Sequence, residues 1–534
     1  MKSSSRPTIE TARSGDATVR VNSRYLYSRY DPRRETDRFV EAKVRAFYES
    51  VAHYPACVIV ISEGLGYIED ACSRMLPECD LVSIHLTTNL SSTSARKATH
   101  TLALEGDAGI AARSSARSFS ESRIEALISQ LDISQILVVE WEPSVVTFTR
   151  EYDIVRHAIE RVLRRRAADT ATVRRWGRLW IRNTLRNCAR GPLAAQLPSF
   201  NRWPSLVICP GPSALATVES LADAPRRPVI IAVSSALELL NSFGIPPDLI
   251  VHTDAGFYST LHFRNAWNTL CNLQPSFRLV MPLTAAPPPI PVNANTCTTT
   301  VVSGNSQVEQ AALRAAGLNA RIVPEAGTVT TTALRIASLI SKGPRFVSGL
   351  DLCFDDIRHH SSPHAFDAFL SVGSDRFNPE VTTRLTRAMD THPESGSRIR
   401  RADNLELYAE WFRGRNEEFA AVRRVNPSEV DTGMQPATVS QLLETVNSAE
   451  SDDLAIGTSW SREPSPGAAK RPAVSREEIV TELLTAAGVH QSGEKNTSFR
   501  KELARWLNVD DDSTAIRGAL SSLYDLPGND PEAV

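Results

Sequence analysis

The chain has 534 residues, with 42 % hydrophobic and 22 % charged residues and a formal net charge of -2. That length predicts two to four domains. The charge balance excludes a global pull toward nucleic acid or membrane, and no apolar run reaches the ~20 residues a membrane span needs. The N-terminal MKSSSRPTIETARSGD lacks an apolar core after its positive charge, so no signal peptide is expected. The eight cysteines include no C-x-x-C pair, which argues against a zinc site and a disulfide framework. The expected compartment is the reducing cytoplasm.

Residues 1–20 are polar and read as a flexible tail. Residues 21–165 alternate between strand-like and helix-like texture and predict an N-terminal α/β domain. Its buried strands are ACVIVIS (56–62) and QILVVEW (135–141). Arginines then crowd together, at 164, 165, 166, 174, 175, 178, 182, 186 and 190. In a helix those from 174 onward that lie four apart stack along one side. The plain reading is a solvated basic face; the sharper one is a stripe facing an anion. A basic helical connector is expected over 166–200.

Residues 201–424 carry the clearest pattern. Strand-like runs at 205–209, 228–233, 248–253, 278–283, 299–303, 320–323 and 345–349 alternate with helical segments such as SALATVESLA and TTTALRIASLIS. Apolar runs this continuous predict a mostly parallel, Rossmann-like sheet covered on both faces. Residues 366–424 read as mainly helical. Ser, Pro, Gly and acids then dominate, so 425–473 reads as a linker. Residues 474–534 carry short amphipathic helices and predict a small helical region.

In an open parallel sheet, ligands bind beyond the carboxyl ends of the strands, where the strand order reverses. The first strand runs into Pro210-Gly211-Pro212-Ser213. Gly211 permits close approach to the backbone, the prolines stiffen the turn, and Ser213 can cap the next helix, so helix N–H groups are expected to face an anion. Ser235 follows the second strand and Asp254 the third. Glu325-Ala326-Gly327-Thr328 and Gly349-Leu350-Asp351 follow later ones, and a loop with His359, His360 and His364 comes next. Taken singly, each has a bland alternative: a Gly-Pro turn, a helix cap, exposed loop histidines. The histidine spacing is not a zinc pattern, and no metal site is expected.

These residues are similar to the core signature of the motility accessory factor (Maf) family of flagellin glycosyltransferases. Gly211-Pro212-Ser213, Ser235, Gly244-Ile245, Pro247-Asp248 and Asp254 match its first block. Gly327, Thr328, Gly349, Asp351 and one of the three histidines match its second. Upstream, Ser28, Tyr30, Asp31, Pro32 and Glu35 resemble its S-x-YDP-x-x-E element, EGLGY (63–67) its GLGY turn, and RRWGRLWIRNTLRN its basic aromatic segment. The match runs over residues 20 to 420. Cys209 and Pro210 replace the first glycines of the family turn, and Pro210 removes an N–H donor.

The resemblance implies a sialyltransferase-like, GT-A-like central domain. It would act without metal or cofactor and move a nonulosonic acid from its CMP-sugar to Ser or Thr of flagellin. Gly211, Pro212 and Ser213 would then hold the phosphate or ribose, Asp254 and Ser235 the hydroxyls, and Gly327-Thr328 the phosphate or sugar carboxylate. A histidine among 359, 360 and 364 would act as base or acid, because its ordinary pKa suits proton transfer near neutrality, with Asp351 orienting the loop. No nucleic-acid or membrane partner is expected. The same core also resembles MptE-like 6-hydroxymethylpterin pyrophosphokinases, where acidic strand ends would hold Mg²⁺. A non-catalytic flagellin-binding assembly factor is a third reading.

Overall fold

The computed structural model describes residues 7–87, 98–104, 117–129, 131–190, 193–266, 277–289, 297–324, 327–389, 391–393, 398–450, 474–489 and 497–524. The chain divides into two compact units, Met1–Arg175 and Trp176–Val534. The division falls inside one helix, Thr149–Ala189.

In the first unit, β1 (Thr8–Thr11), β2 (Ala17–Val21) and β3 (Arg24–Tyr25) form an antiparallel sheet. The expected flexible tail is therefore ordered from Thr8 onward. Alternation accounts for it: Val19 and Val21 turn inward, while Arg20 pairs outside with Glu10 at 2.7 Å. The helix Pro32–Val51 follows, and SRYDPRRE builds its start. Asp31 accepts from Arg34 N–H, Pro32 fills the first turn, and Glu35 Oε2 accepts from Ser28 N–H at 2.7 Å.

The parallel sheet of this unit has the order β7-β6-β5-β4-β8, from β4 (Cys57–Ser62), β5 (Asp80–His85), β6 (His100–Ala103), β7 (Arg117–Ser118) and β8 (Ile136–Glu140). Every residue of β4 is buried, as its unbroken apolar run requires. The predicted strands at 56–62 and 135–141 are both found.

The second unit is built on a ten-stranded sheet. Its strands are β9 (Leu193–Ala194), β10 (Ser205–Ile208), β11 (Val229–Val233), β12 (Leu249–Val251), β13 (Phe277–Met281), β14 (Cys297–Ser303), β15 (Arg321–Ile322), β16 (Arg345–Ser348), β20 (Val422–Val425) and β21 (Gln435–Ala437). The order is β15-β14-β13-β12-β11-β10-β16-β20-β21, with β9 beside β14, and every pairing is parallel. A smaller antiparallel sheet joins β17 (Phe354–Asp355), β18 (His392–Pro393) and β19 (Ile399–Arg401). The Rossmann-like class is thus the observed one.

Part of the expected linker is integral to this sheet. β21 pairs with β20, and the helix Val439–Ser448 buries Leu442 and Val446 in the main core. The Ser, Pro and Gly of this stretch lie in turns between short elements, which composition alone does not separate from a linker. Residues 451–473 lie outside the described residues. The helices Arg476–Ala486, Thr497–Leu507 and Ser513–Tyr524 pack within this unit. Trp506 meets Trp180 at 5.1 Å between ring centres, and Ser306 donates to Glu502 at 2.8 Å. Among the described residues, no helix is long and apolar enough to cross a membrane.

Candidate functional site

The strand order reverses at β10, whose neighbours β11 and β16 lead to opposite edges of the sheet. The turns after β10 and β16 therefore flank the crevice where a doubly wound sheet takes its ligand. Gly211 N–H donates to Gly349 C=O at 3.0 Å. Ser213 donates to Asp351 from its backbone N–H at 2.8 Å and from its hydroxyl at 2.6 Å. A Cβ on Gly211 would overlap Gly349 O and Asp351 Oδ2. The bare backbone of this turn admits the chain's own carboxylate.

The anion expected at the start of the helix Ala214–Ala222 is thus Asp351 itself. The Ser213 N–H and hydroxyl are both engaged by Asp351 in this structure. Burial pushes the Asp351 carboxyl above its ordinary range, while the Ser213 hydrogen bonds and the Arg424 charge oppose that shift. Arg424, buried on β20, donates to the carbonyls of Leu350 (2.7 Å) and Val430 (2.6 Å) and so fixes the turn from below. Sequence reading missed it, since one arginine in a strand carries no local signal.

Two other loops reach the same turn. Ser361 N–H donates to Pro210 C=O at 2.6 Å, which brings in the histidine loop. Thr330 Oγ1 lies 3.3 Å from Cys209 Sγ, which brings in the helix Val329–Ile340. Thr328 caps that helix by accepting from Thr331 N–H at 3.3 Å. Gly327 takes a positive φ of 74° against the Tyr408 ring. Glu325 and Ala326 lie outside the described residues.

Asp254 is exposed on a neighbouring turn, where its carboxylate accepts from Gly256 N–H at 2.8 Å. Ser235 is half-buried just after β11. Its neighbour Ser234 lies 3.1 Å from Nδ1 of the buried His252 at the end of β12.

His359, His360 and His364 form a chain of rings with centres 4.0 and 4.4 Å apart. His262, not anticipated from sequence, extends it at 5.4 Å from His364. The near-neutral titration expected of these side chains does not hold. Burial pushes His262 and His359 down to about 4 and His364 to about 3, with neighbouring cationic charge adding to the effect, and His360 well below its ordinary value. All four are neutral at pH 7.

The neutral tautomer of His364 follows from its contacts. Nδ1 accepts from Phe366 N–H at 3.3 Å, so Nε2 carries the proton. That Nε2 is buried without a hydrogen-bond partner, as are His262 Nδ1 and Ser361 Oγ. Buried polar atoms are nearly always paired, so these orphans, with Arg358 Nη1 on the same loop, mark a place for a polar ligand. They also distinguish His364 from His359 and His360, which sequence could not do.

The long helix positions the other strand ends. Asn183 Nδ2 donates to Ala255 C=O (3.1 Å) and Thr284 C=O (2.9 Å); Asn187 Nδ2 donates to Leu283 C=O (2.8 Å) and Ala285 C=O (2.9 Å). The signal available was two amides four residues apart among the apolar Ile181, Leu185 and Cys188. The buried thiols of Cys188 and Cys209 are pushed up to about 12 by desolvation, which keeps them unreactive.

A family model described as 6-hydroxymethylpterin diphosphokinase MptE-like matches residues 181–356. An uncharacterised protein of Treponema pallidum (strain Nichols) is 26 % identical over 300 residues, covering 56 % of this chain and 61 % of that relative. The chain thus spans less than two thirds of that relative's length. A second uncharacterised protein of the same organism is 25 % identical over 234 residues, 40 % of this chain and 72 % of the relative. Among solved structures, a MAf glycosyltransferase from Magnetospirillum magneticum AMB-1 is similar with a TM-score of 0.52, over 97 % of this chain and 86 % of that one, at 13 % identity. The resemblance read from the sequence therefore extends to the fold: this chain is built like that glycosyltransferase along nearly its whole length.

Proposed function

We propose that this protein is a glycosyltransferase that moves a nonulosonic sugar from a CMP-sugar to Ser or Thr hydroxyls of a flagellin, in the cytoplasm. The observation that carries the reading is the buried histidine cluster, with its orphaned polar atoms, beside the strand-order reversal of a glycosyltransferase-like fold. In the transfer, the bond from the sugar carbon to the CMP phosphate oxygen breaks. A bond to the acceptor hydroxyl forms, and the hydroxyl proton must be taken up. His364 Nε2–H is a ready donor to a phosphate oxygen. An anion at that distance favours the imidazolium and raises the depressed pKa values of the cluster, so donor binding brings proton uptake with it. His262 Nδ1 is the group best placed to accept the hydroxyl proton.

A protein acceptor fits the adjoining surface. Tyr258 and Phe369 are exposed and 5.7 Å apart, and Val372 and Phe377 beyond them are 89 % and 92 % exposed. Apolar side chains so bare beside a crevice suit a protein surface.

The MptE-like match favours a second reading, a Mg²⁺-dependent pyrophosphokinase. The acids it would need fit poorly: both Asp351 oxygens are held by Ser213, and Asp254 holds Gly256 N–H. Calorimetry with CMP, and with ATP plus Mg²⁺, on wild type and His364→Ala separates the two. CMP binding that takes up protons and is lost in the variant is expected. Binding of ATP with Mg²⁺ and not of CMP would overturn the transferase reading.

A further inference from the structure

The arginines of the long helix fall into two groups. In the first unit they are answered locally: Arg161 and Arg165 pair with Glu121, Arg165 also with Glu125, and Arg166 donates to Leu131 C=O. In the second unit the same helix presents Arg182 and Arg186 to a shallow, open cleft. Arg476 lines it too, and Leu185 and Leu523 supply its apolar wall. Arg182 Nε is buried and has no hydrogen-bond partner among the described residues. Burial, with the charges of Arg182, Arg476 and Arg190, holds Arg186 below its ordinary value.

The cleft has a fixed frame. Trp180 packs on Trp506 at 5.1 Å, Arg178 reaches Ser522 at 3.3 Å, and Gly177 has no side chain because the Trp506 backbone lies where its Cβ would be. Glu478, on the helix that carries Arg476, is committed to the Ser475 cap at 2.8 and 2.9 Å. Three guanidiniums converging on one cleft repel one another, and that cost is offset when a multivalent anion takes their forked donors.

We propose that this cleft binds a small phosphate-class oxyanion, with Arg182, Arg186 and Arg476 as its ligands. Because the cleft is open, the anion can be free or can sit at the end of a larger molecule. It shares no residue with the histidine cluster, so it is a second site whatever that cluster binds.

The test is calorimetry and thermal denaturation of the full chain with inorganic phosphate, pyrophosphate and CMP, against chloride at equal ionic strength. Wild type, Arg182→Gln, Arg476→Gln and the exposed Arg423→Gln are compared. Phosphate or pyrophosphate should raise the melting temperature of wild type and Arg423→Gln, and bind at least tenfold more weakly to the other two. Without ligand, Arg182→Gln should melt no lower than wild type, since repulsion is relieved; a purely structural arginine would give the opposite. Inorganic anions lost in these variants while CMP binding persists would assign the cleft to free anions, and CMP lost with them would assign it to the phosphate of a nucleotide. Binding unchanged in both variants, or no binding to wild type, would overturn the proposal.

Discussion

Both units contain a parallel sheet whose order reverses, at β4 and β8 in one and at β10 and β16 in the other. In each, a glycine-bearing turn follows the central strand, and the chain itself fills the space above it. In the first unit the filler is Tyr27, whose hydroxyl accepts from Leu65 N–H at 3.2 Å and whose ring stacks on Trp141 at 5.8 Å. In the second it is Asp351. A glycine at a strand-order reversal therefore reports close approach of something, and here in both cases that something is a side chain from elsewhere in the sequence. What differs is the surroundings. Aromatic rings seal the first turn, Tyr27 lying also 5.1 Å from Tyr67. Ionisable rings with unanswered nitrogens border the second. Buried ionisable groups, Glu63 and Glu69, flank the first turn as well, so what separates the two is the aromatic seal.

The comparison breaks most readily at the glycines. Gly64→Ala would drive a methyl into Tyr27, and Gly211→Ala into Gly349 and Asp351. Each should cost roughly 3 kcal/mol and lower the melting of its own unit, read by denaturant unfolding with domain-resolved proteolysis. Tyr27→Ala with Gly64→Ala should lose less than the sum of the two single losses, because the clash is shared. Additive losses would mean that Tyr27 is not the filler.

Next in size is Asn187→Ala, which removes the amide donating to two buried carbonyls and should cost about 2 kcal/mol in the second unit alone. Normal stability would show that the helix does not hold the strand ends.

The pH dependence sharpens the contrast. His252, His262, His359 and His364 titrate in the second unit at about 3 to 4, against an ordinary value of 6.5. Because the unfolded chain binds these protons first, stability is full above about 6.5 and falls as pH drops toward 4. The second unit should lose more over that window than the first, where His85 is the buried histidine held low. His262→Phe should flatten the slope, seen in melting temperature against pH.

The smallest effect concerns Thr328→Ala, which removes a cap and should cost about 1 kcal/mol. CMP binding that survives this change would confine Thr328 to capping; binding lost beyond that cost would make it a ligand contact.

Much of the scaffold was open to reading in one dimension. The strands at 205–209, 228–233 and 345–349 show as unbroken apolar runs because a strand covered on both faces must be apolar throughout. The long helix shows through its period. The residues Gly211, Ser213, Ser235, Asp254 and Asp351 were legible as following strands. Their partners were not legible: Ser213 meets a carboxylate 138 residues away, and Arg424 meets carbonyls on another strand. β20 and β21 were hidden because short strands inside a Pro- and Ser-rich stretch resemble a linker until a neighbour pairs with them.

By itself, the sequence determined the long apolar strands and the amphipathic helices between them, since those depend on side chains a few residues apart. Only the tertiary structure decided the order of the strands, the filling of the Gly211 turn by Asp351, and the joining of His262 to the histidine loop. It also decided that those histidines are neutral. Strand order, contact over long separation and the desolvation that moves a pKa are set by what packs against a residue, and that neighbour is seldom next to it in the chain.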